Sequence, residues 1–158
     1  MPVPRFDIDL TESQRRVRES IEAICDDFDH EYWRRHAREE TYPHEFVDAL
    51  AAEGWLGVLI PESYEGKGLG TPETVVMMEE IAASGAGFGG AQTIHGGIYN
   101  SPPLVKNASP ERKETLLPKI ARGEVSIQAF GLTEPGAGSN APSMETFARR
   151  EGDEYVVS

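Results

Sequence analysis

The sequence predicts a mainly α-helical fold, with a helical bundle over residues 1–124 and an incomplete β domain over residues 125–158. Up to Gly123, apolar residues recur at the spacing found on the buried face of a helix. After Glu124 the period changes, and the runs Val125–Thr133 and Glu154–Val157 have the composition of strands. Because two or three strands cannot close a sandwich or a barrel, we expect the β domain to be truncated.

The first helix is predicted from a cap and one apolar stripe. Thr11 and Gln14 have the spacing of a capping box, in which each side chain bonds the other residue's backbone N–H. Apolar residues follow at helical spacing, namely Val17, Ile21, Ile24 and Phe28. A charged continuation leads to Pro43, where we expect the helix to break. A second, shorter helix then ends at Gly54.

Two later helices are predicted from their opening residues. Thr71 is expected as an N-cap and Pro72 as the first helical residue. The inner face of that helix is expected to carry Val75, Met78 and Ala82. Ser109 opens the last helix. The segment 84–97 contains six glycines, so we expect close helix packing there.

Charge and cysteine content exclude several classes of protein. The 15 Lys and Arg against 27 Asp and Glu give a net charge of −12, whereas binding to duplex nucleic acid requires a concentrated cationic face. The single cysteine, Cys25, forbids an intrachain disulfide. No apolar run approaches the ~18 residues of a membrane span. The four histidines share no metal-ligand spacing. We therefore expect a cytoplasmic protein with no nucleic acid, membrane or metal partner.

The segment Gln128–Asn140 is the most informative part of the sequence. A predicted strand enters a loop rich in proline and glycine, whose backbone N–H groups and Ser139 hydroxyl can converge on an anion. Thr133 places a second hydroxyl at the mouth of this loop. From loop physics alone, a surface turn between two strands explains the segment as well. The loop also matches a dinucleotide-binding fingerprint formally, but the long helix of a Rossmann unit does not follow it.

This segment resembles the first signature of the acyl-CoA dehydrogenases, FAD-dependent enzymes that desaturate acyl-CoA thioesters. The family pattern Thr-Glu-Pro-x-Ala-Gly-Ser-Asp is matched at Thr133, Glu134, Pro135, Ala137, Gly138 and Ser139. The similarity extends upstream to Trp55–Gly57 and Leu117–Glu124, and downstream to Thr146–Val156. It therefore covers essentially the whole chain.

The resemblance implies FAD as the cofactor and assigns flavin contacts to one short segment. Phe130 and Leu132 correspond to residues that lie along the flavin ring, with Gly131 between them among the cofactor-binding residues. Thr133 corresponds to the residue that hydrogen-bonds the ring near its reactive nitrogen, which helps the ring to accept hydride. We expect this segment to line the flavin.

The resemblance also assigns pyrophosphate and substrate contacts. Gly138 and Ser139 correspond to residues that meet the flavin pyrophosphate, and Ser139 also to one that touches the CoA part of the substrate. Thr93 and Gly96 fall where family members line the acyl pocket. The implied partners are an acyl-CoA substrate and an electron-transfer acceptor protein, within a homotetramer or a heteromer.

No residue of this chain inherits the role of catalytic base. In the family a glutamate of the C-terminal helical domain carries that role, and the residue at Glu134 is structural. Two departures stand out. Asn140 replaces the usual Asp of the signature, which we expect to alter loop capping rather than binding, and Pro102–Pro103 interrupts a helix that is normally long.

Two alternatives to a dehydrogenase fragment stay open. The chain could be a short, non-catalytic subunit that completes a flavoprotein together with a partner chain, and its length is the feature that favours this interpretation. An oxidase of the same superfamily would carry the same signature. Oxygen consumption by the reduced enzyme would distinguish the oxidase from the dehydrogenase.

Overall fold

A computed structural model describes residues 9–129 and 131–158 of the chain. They form two compact units, one that ends at Gln128 and one from Ala129 to Ser158. The first unit is helical, as predicted. Its α-helices are α1 (Glu12–Cys25), α2 (His30–Glu39), α3 (His44–Ala52), α4 (Thr71–Ile81), α5 (Gly87–Tyr99), α6 (Ser101–Asn107) and α7 (Pro110–Ala121).

Helix α1 begins as predicted but ends earlier. The capping box is present, with the Gln14 N–H 3.2 Å from Thr11 Oγ1 and the Thr11 N–H 2.9 Å from Gln14 Oε1. The helix stops at Cys25, although the apolar stripe continues to Phe28. The reason is a second cap: the Asp29 carboxylate accepts the Tyr32 N–H at 2.8 Å and starts α2. The first helix therefore breaks between Cys25 and His30, before the break that was expected at Pro43.

The start of α4 also differs from the prediction. Gly70 is the N-cap, and Thr71 is already the first helical residue. The Glu73 carboxylate accepts the Gly70 N–H at 3.3 Å, which satisfies one of the free donors of the first turn. Pro72 lies in that first turn, as expected for a residue without an N–H.

The inner face of α4 is not the predicted one. Its buried apolar residues are Val76, Met77 and Ile81, whereas Val75 is 59% exposed. The apolar run 75–78 is compatible with two faces, so its pattern alone does not select one. In the structure the face that carries Glu80 turns inward, where Glu80 Oε2 lies 3.4 Å from Arg18 Nε of α1. A buried carboxylate requires such a cation close by.

The core of the helical unit joins α1, α3, α4 and α5. Its fully buried members include Ile21, Phe46, Leu50, Met77 and Ile81. The Phe46 ring packs edge-on against Phe28 and Trp33, with centroid distances of 5.3 and 4.9 Å. A smaller cluster under α7 contains Ile60, Leu117, Ile120 and Ala121. These two clusters hold the helices of the first unit together.

A π-helical segment, Ala82–Ala86, joins α4 to α5 in the glycine-rich region. Gly85 has φ of +113°, a conformation that favours glycine, and the His30 ring occupies the space where a side chain would lie. At Gly90 an added Cβ would collide with Ala86 Cβ and would lie 3.2 Å from the Trp33 ring. The expected close packing of this segment is confirmed at these positions.

The second unit contains one antiparallel hairpin, β1 (Ala148–Glu151) with β2 (Glu154–Val157), in which Ala148 lies opposite Val157. The predicted strand at Glu154–Val157 is thus confirmed. The predicted strand over 125–133 is not formed in the described residues, since neither 125–129 nor 131–133 pairs with a neighbouring strand. A segment with the composition of a strand forms hydrogen-bonded β-structure only where a neighbouring strand is present to pair with it.

Two further searches cover the described part of the chain. None of its helices combines the length and the apolar run that crossing a bilayer requires. Within the same ranges, no group of three or more His, Cys, Asp or Glu side chains is arranged to hold a metal ion.

Candidate functional site

The predicted flavin-binding loop is closed by a backbone bridge. The N–H of Glu134 donates to the carbonyl of Ala137, and the N–H of Ala137 donates back to the carbonyl of Glu134, both at 3.1 Å. Ala137 is only 1% exposed. Thr133 on one side and Gly138 and Ser139 on the other are exposed. The bridge therefore fixes a tight turn that presents two hydroxyls and backbone donors to solvent.

The Glu134 side chain ties this turn to the chain that follows. Its carboxylate oxygens accept the backbone N–H groups of Glu145 at 2.8 Å and Thr146 at 2.9 Å. The Thr146 side chain, followed by these two backbone donors, lowers the pKa of Glu134. A carboxylate with a lowered pKa is a weaker base. Glu134 thus acts as a structural tie within the turn, and the expectation that it is not the base stays a prediction.

Three glycines around the turn have open space beside them. A Cβ added at Gly131, Gly136 or Gly138 would meet no described atom within 4 Å, and neither Gly136 nor Gly138 has a positive φ. Neither backbone conformation nor packing of the described residues therefore requires glycine at Gly136 or Gly138. A backbone without a Cβ permits close approach of a bound group. The turn has the open backbone and the exposed donors that fit a phosphate-bearing cofactor such as FAD.

Thr93 occupies a well-defined position on α5. Its carbonyl accepts the Tyr42 hydroxyl at 3.0 Å and the Gln128 side-chain amide at 2.9 Å. Its own hydroxyl donates to the Gly90 carbonyl at 2.7 Å. Burial, followed by the charge of Asp48, raises the pKa of Tyr42, so its phenol remains a donor at neutral pH. Thr93 borders a cavity of about 320 Å³ whose apolar lining includes Val47, Leu56, Ile94 and Ile98.

Gly96 packs against the chain at Gln128, and His95 borders a groove other than the cavity beside Thr93. A Cβ at Gly96 would lie 3.0 Å from the Cα and the carbonyl oxygen of Gln128, so this position is filled by the chain itself. His95 borders a separate apolar groove of about 620 Å³, where its ring meets Tyr99 edge-on at 4.0 Å. The lining of the 320 Å³ cavity includes Thr93 and Gly97 but not Gly96. Their assignment to the acyl pocket stays a prediction.

Sequence reasoning missed three polar residues that organise this region. Tyr42 reaches Thr93 across 51 positions, Gln128 reaches it across 35, and Asn100 reaches Ile127 across 27. No local spacing links residues so far apart. The glycine-rich composition of α5 indicated a close approach, but it did not indicate the partner.

Comparison with known proteins identifies the family. Residues 11–124 match the profile described as acyl-CoA dehydrogenase, N-terminal domain. The chain is 33% identical over 147 residues to acyl-CoA dehydrogenase FadE12 of Mycobacterium tuberculosis, and 32% identical over 155 residues to the mitochondrial isovaleryl-CoA dehydrogenase of Bos taurus. These alignments cover 93% and 94% of the chain. The chain therefore belongs to the acyl-CoA dehydrogenase family.

A solved structure supports the same fold. The acyl-CoA dehydrogenase of Bacillus anthracis, solved in complex with FAD, superposes with a TM-score of 0.67 at 25% identity and covers 94% of this chain. This chain covers 26% of that protein and 37% and 35% of the two relatives named above. It thus spans about a third of the length of the curated relatives that it matches.

Proposed function

We propose that this chain is the flavin- and substrate-contacting N-terminal part of an FAD-dependent dehydrogenase that desaturates acyl-CoA thioesters between Cα and Cβ. The turn after Thr133 is the observation that carries the proposal. A backbone bridge and the Glu134 carboxylate hold it, and open space lies beside Gly136 and Gly138. Membership in the acyl-CoA dehydrogenase family supports an oxidation-reduction reaction that uses a flavin.

The residues of the turn take complementary roles in this proposal. FAD held by this turn would supply the acceptor for the hydride that leaves Cβ of the thioester. The Thr133 hydroxyl donates to the flavin ring, and Leu132 packs along it. The N–H groups of Gly138 and Ser139 face the pyrophosphate, where fixed backbone dipoles stabilise negative charge without a cationic side chain. The Ser139 hydroxyl also orients the CoA part of the substrate.

In this proposal the α proton is removed by a base from outside this chain. In the described residues Glu134 is committed to two backbone donors, and its pKa is lowered. We propose that the base belongs to a further part of the full-length protein or to a partner chain. An electron-transfer acceptor protein, a homotetrameric or heteromeric assembly and a cytoplasmic location complete the proposal.

The proposal is tested on the full-length gene product by anaerobic titration with acyl-CoA thioesters. We expect the purified protein to carry FAD, with its visible absorption band bleached by a thioester substrate. Thr133→Val should slow flavin reduction by about 10- to 100-fold, since one hydrogen bond to the reacting group is lost. The matched control is Thr115→Val, an exposed threonine of α7 whose hydroxyl bonds the Glu111 carbonyl.

Several outcomes would contradict parts of this proposal. A protein without flavin after expression and after incubation with FAD would remove the function itself. Equal reduction rates for Thr133→Val and Thr115→Val would remove only the role of Thr133. Rapid reoxidation of the reduced protein by oxygen would indicate an oxidase instead of a dehydrogenase.

A further inference from the structure

The last residues of the helical unit lie along α5 and are tied to it by two side-chain amides. The Gln128 amide donates to the Thr93 carbonyl at 2.9 Å, and the Asn100 amide donates to the Ile127 carbonyl at 2.7 Å. Asn100 is buried at 8% exposure and also donates to the Gly96 carbonyl at 2.9 Å. Residues 125–128 pair with no strand in the described chain, so these amides replace a sheet ladder.

Gly96 makes this close approach possible. A Cβ at this position would contact Gln128 Oε1 and would lie 3.0 Å from both the Cα and the carbonyl oxygen of Gln128. The side-chain oxygen can swing away, but the two backbone atoms can move only if the chain moves. Any larger residue at position 96 must therefore displace residue 128 by a few tenths of an ångström.

We propose that Gly96, Asn100 and Gln128, together the α5 anchor, are positioning residues for the flavin. Gln128 ends the helical unit, and Thr133 follows it by only five positions. The α5 anchor thus holds the chain at residues 127 and 128, and the chain runs on from there to Leu132 and Thr133. This inference rests on the proposed function. It gives Gly96 a role in backbone placement rather than in the acyl pocket.

Small displacements matter here because hydrogen bonds tolerate little change. A hydroxyl donor works over roughly 2.5–3.0 Å, and its energy falls steeply outside favourable angles. A misplacement of about 1 Å at a reacting group can lower a rate about 100-fold. In this inference a shift of residue 128 passes along the chain to Thr133 and lowers the rate of flavin reduction.

The test compares Gly96→Ala with Gly89→Ala in the full-length protein loaded with FAD. Both substitutions add a methyl group to α5, but Gly89 has no described atom within 4 Å of the new Cβ. The measurements are the visible circular dichroism of the flavin, its midpoint potential and its rate of reduction by a thioester. We expect Gly96→Ala to alter the dichroism and to slow reduction by about 5- to 10-fold, since the shift is smaller than the displacement of about 1 Å that costs about 100-fold. Gly89→Ala should stay within about twofold of the parent protein, as expected for an exposed substitution.

A second pair of variants keeps the inference testable if Gly96→Ala does not fold. Gln128→Met removes the amide donor at an exposed residue while retaining its length, and Gln128→Glu retains the shape without the donor. Both should change the flavin dichroism in the same direction. The inference is overturned if all anchor variants change only thermal stability and leave dichroism, potential and rate as in Gly89→Ala. If the parent protein binds no FAD at all, the proposed function fails together with the inference, which is a distinct result.

Discussion

The helical unit and the unit 129–158 place their residues very differently relative to solvent. In the helical unit Ile21, Phe46, Leu50, Met77 and Ile81 are all fully buried. Among the described residues of the second unit only Ala137 is buried, and every residue of both hairpin strands is exposed. The apolar burial that stabilises the fold thus lies in one unit, whereas the predicted flavin contacts lie in the other.

The difference in burial indicates that the helical unit provides the stability of the fold, while the predicted flavin contacts lie in the less stable unit. A two-stranded hairpin without a buried face is at most marginally stable by itself. Large apolar side chains are nevertheless exposed on it, with Phe147 at 57% and Tyr155 at 67%. We therefore expect the helical unit to set global stability and the hairpin to open locally at much lower free energy.

Phe46→Ala tests the comparison with the largest expected effect. Truncation of this fully buried ring should lower the free energy of unfolding by about 3–5 kcal/mol, because apolar burial is lost and a cavity remains. Urea unfolding followed by far-UV circular dichroism measures the change. The matched variant Phe147→Ala should cost less than about 0.5 kcal/mol, since that ring is largely exposed. Similar losses for the two variants would show that the hairpin is part of the cooperative core.

Sequence predicted the helical unit well because its signals are local. The capping box at Thr11, the cap at Ser109 and the helical periods each depend on residues a few positions apart. The sequence-based prediction failed at α4, where the same apolar run allows either of two helix faces to be buried. Four consecutive apolar residues on α4 fit two faces, and only the distant pair of Arg18 and Glu80 shows which face is buried.

The candidate site was predictable only in part. The residues of the turn after Thr133 follow from a family signature, and the role of Glu134 as a tie agrees with that expectation. The α5 anchor joins positions that are 27 and 35 residues apart, so no periodicity indicates it. The expected strand over 125–133 depended on a partner strand, which composition cannot supply.

Cys25 provides a second, kinetic test of the difference between the units. Burial, opposed by a hydrogen bond with Ser84 and reinforced by nearby carboxylates, raises the pKa of this thiol. A smaller thiolate fraction and restricted access should both slow its reaction with a disulfide reagent. An opening free energy of about 3 kcal/mol would give at least a 100-fold slower reaction than in unfolded protein.

Low urea sharpens this second test. Concentrations that already open the hairpin should leave Cys25 protected, because the thiol lies in the helical core. Amide exchange of the hairpin reports the first event, and thiol labelling of Cys25 reports the second. Simultaneous loss of both signals would mean that the two units unfold together.

The smallest predicted effect concerns the turn itself. The pKa of Glu134 is lowered in the folded protein, so its hydrogen bonds to Glu145 and Thr146 are fully present above its ordinary pKa. They should be lost as pH falls through the lowered value. Amide chemical shifts and exchange rates of these two residues should follow that titration, while amides of α1 stay constant. Glu134→Gln should abolish the pH dependence, and the exposed control Glu154→Gln should retain it. An unchanged titration in Glu134→Gln would assign the two amides to another acceptor, and the turn would then owe its shape to the bridge between residues 134 and 137 alone.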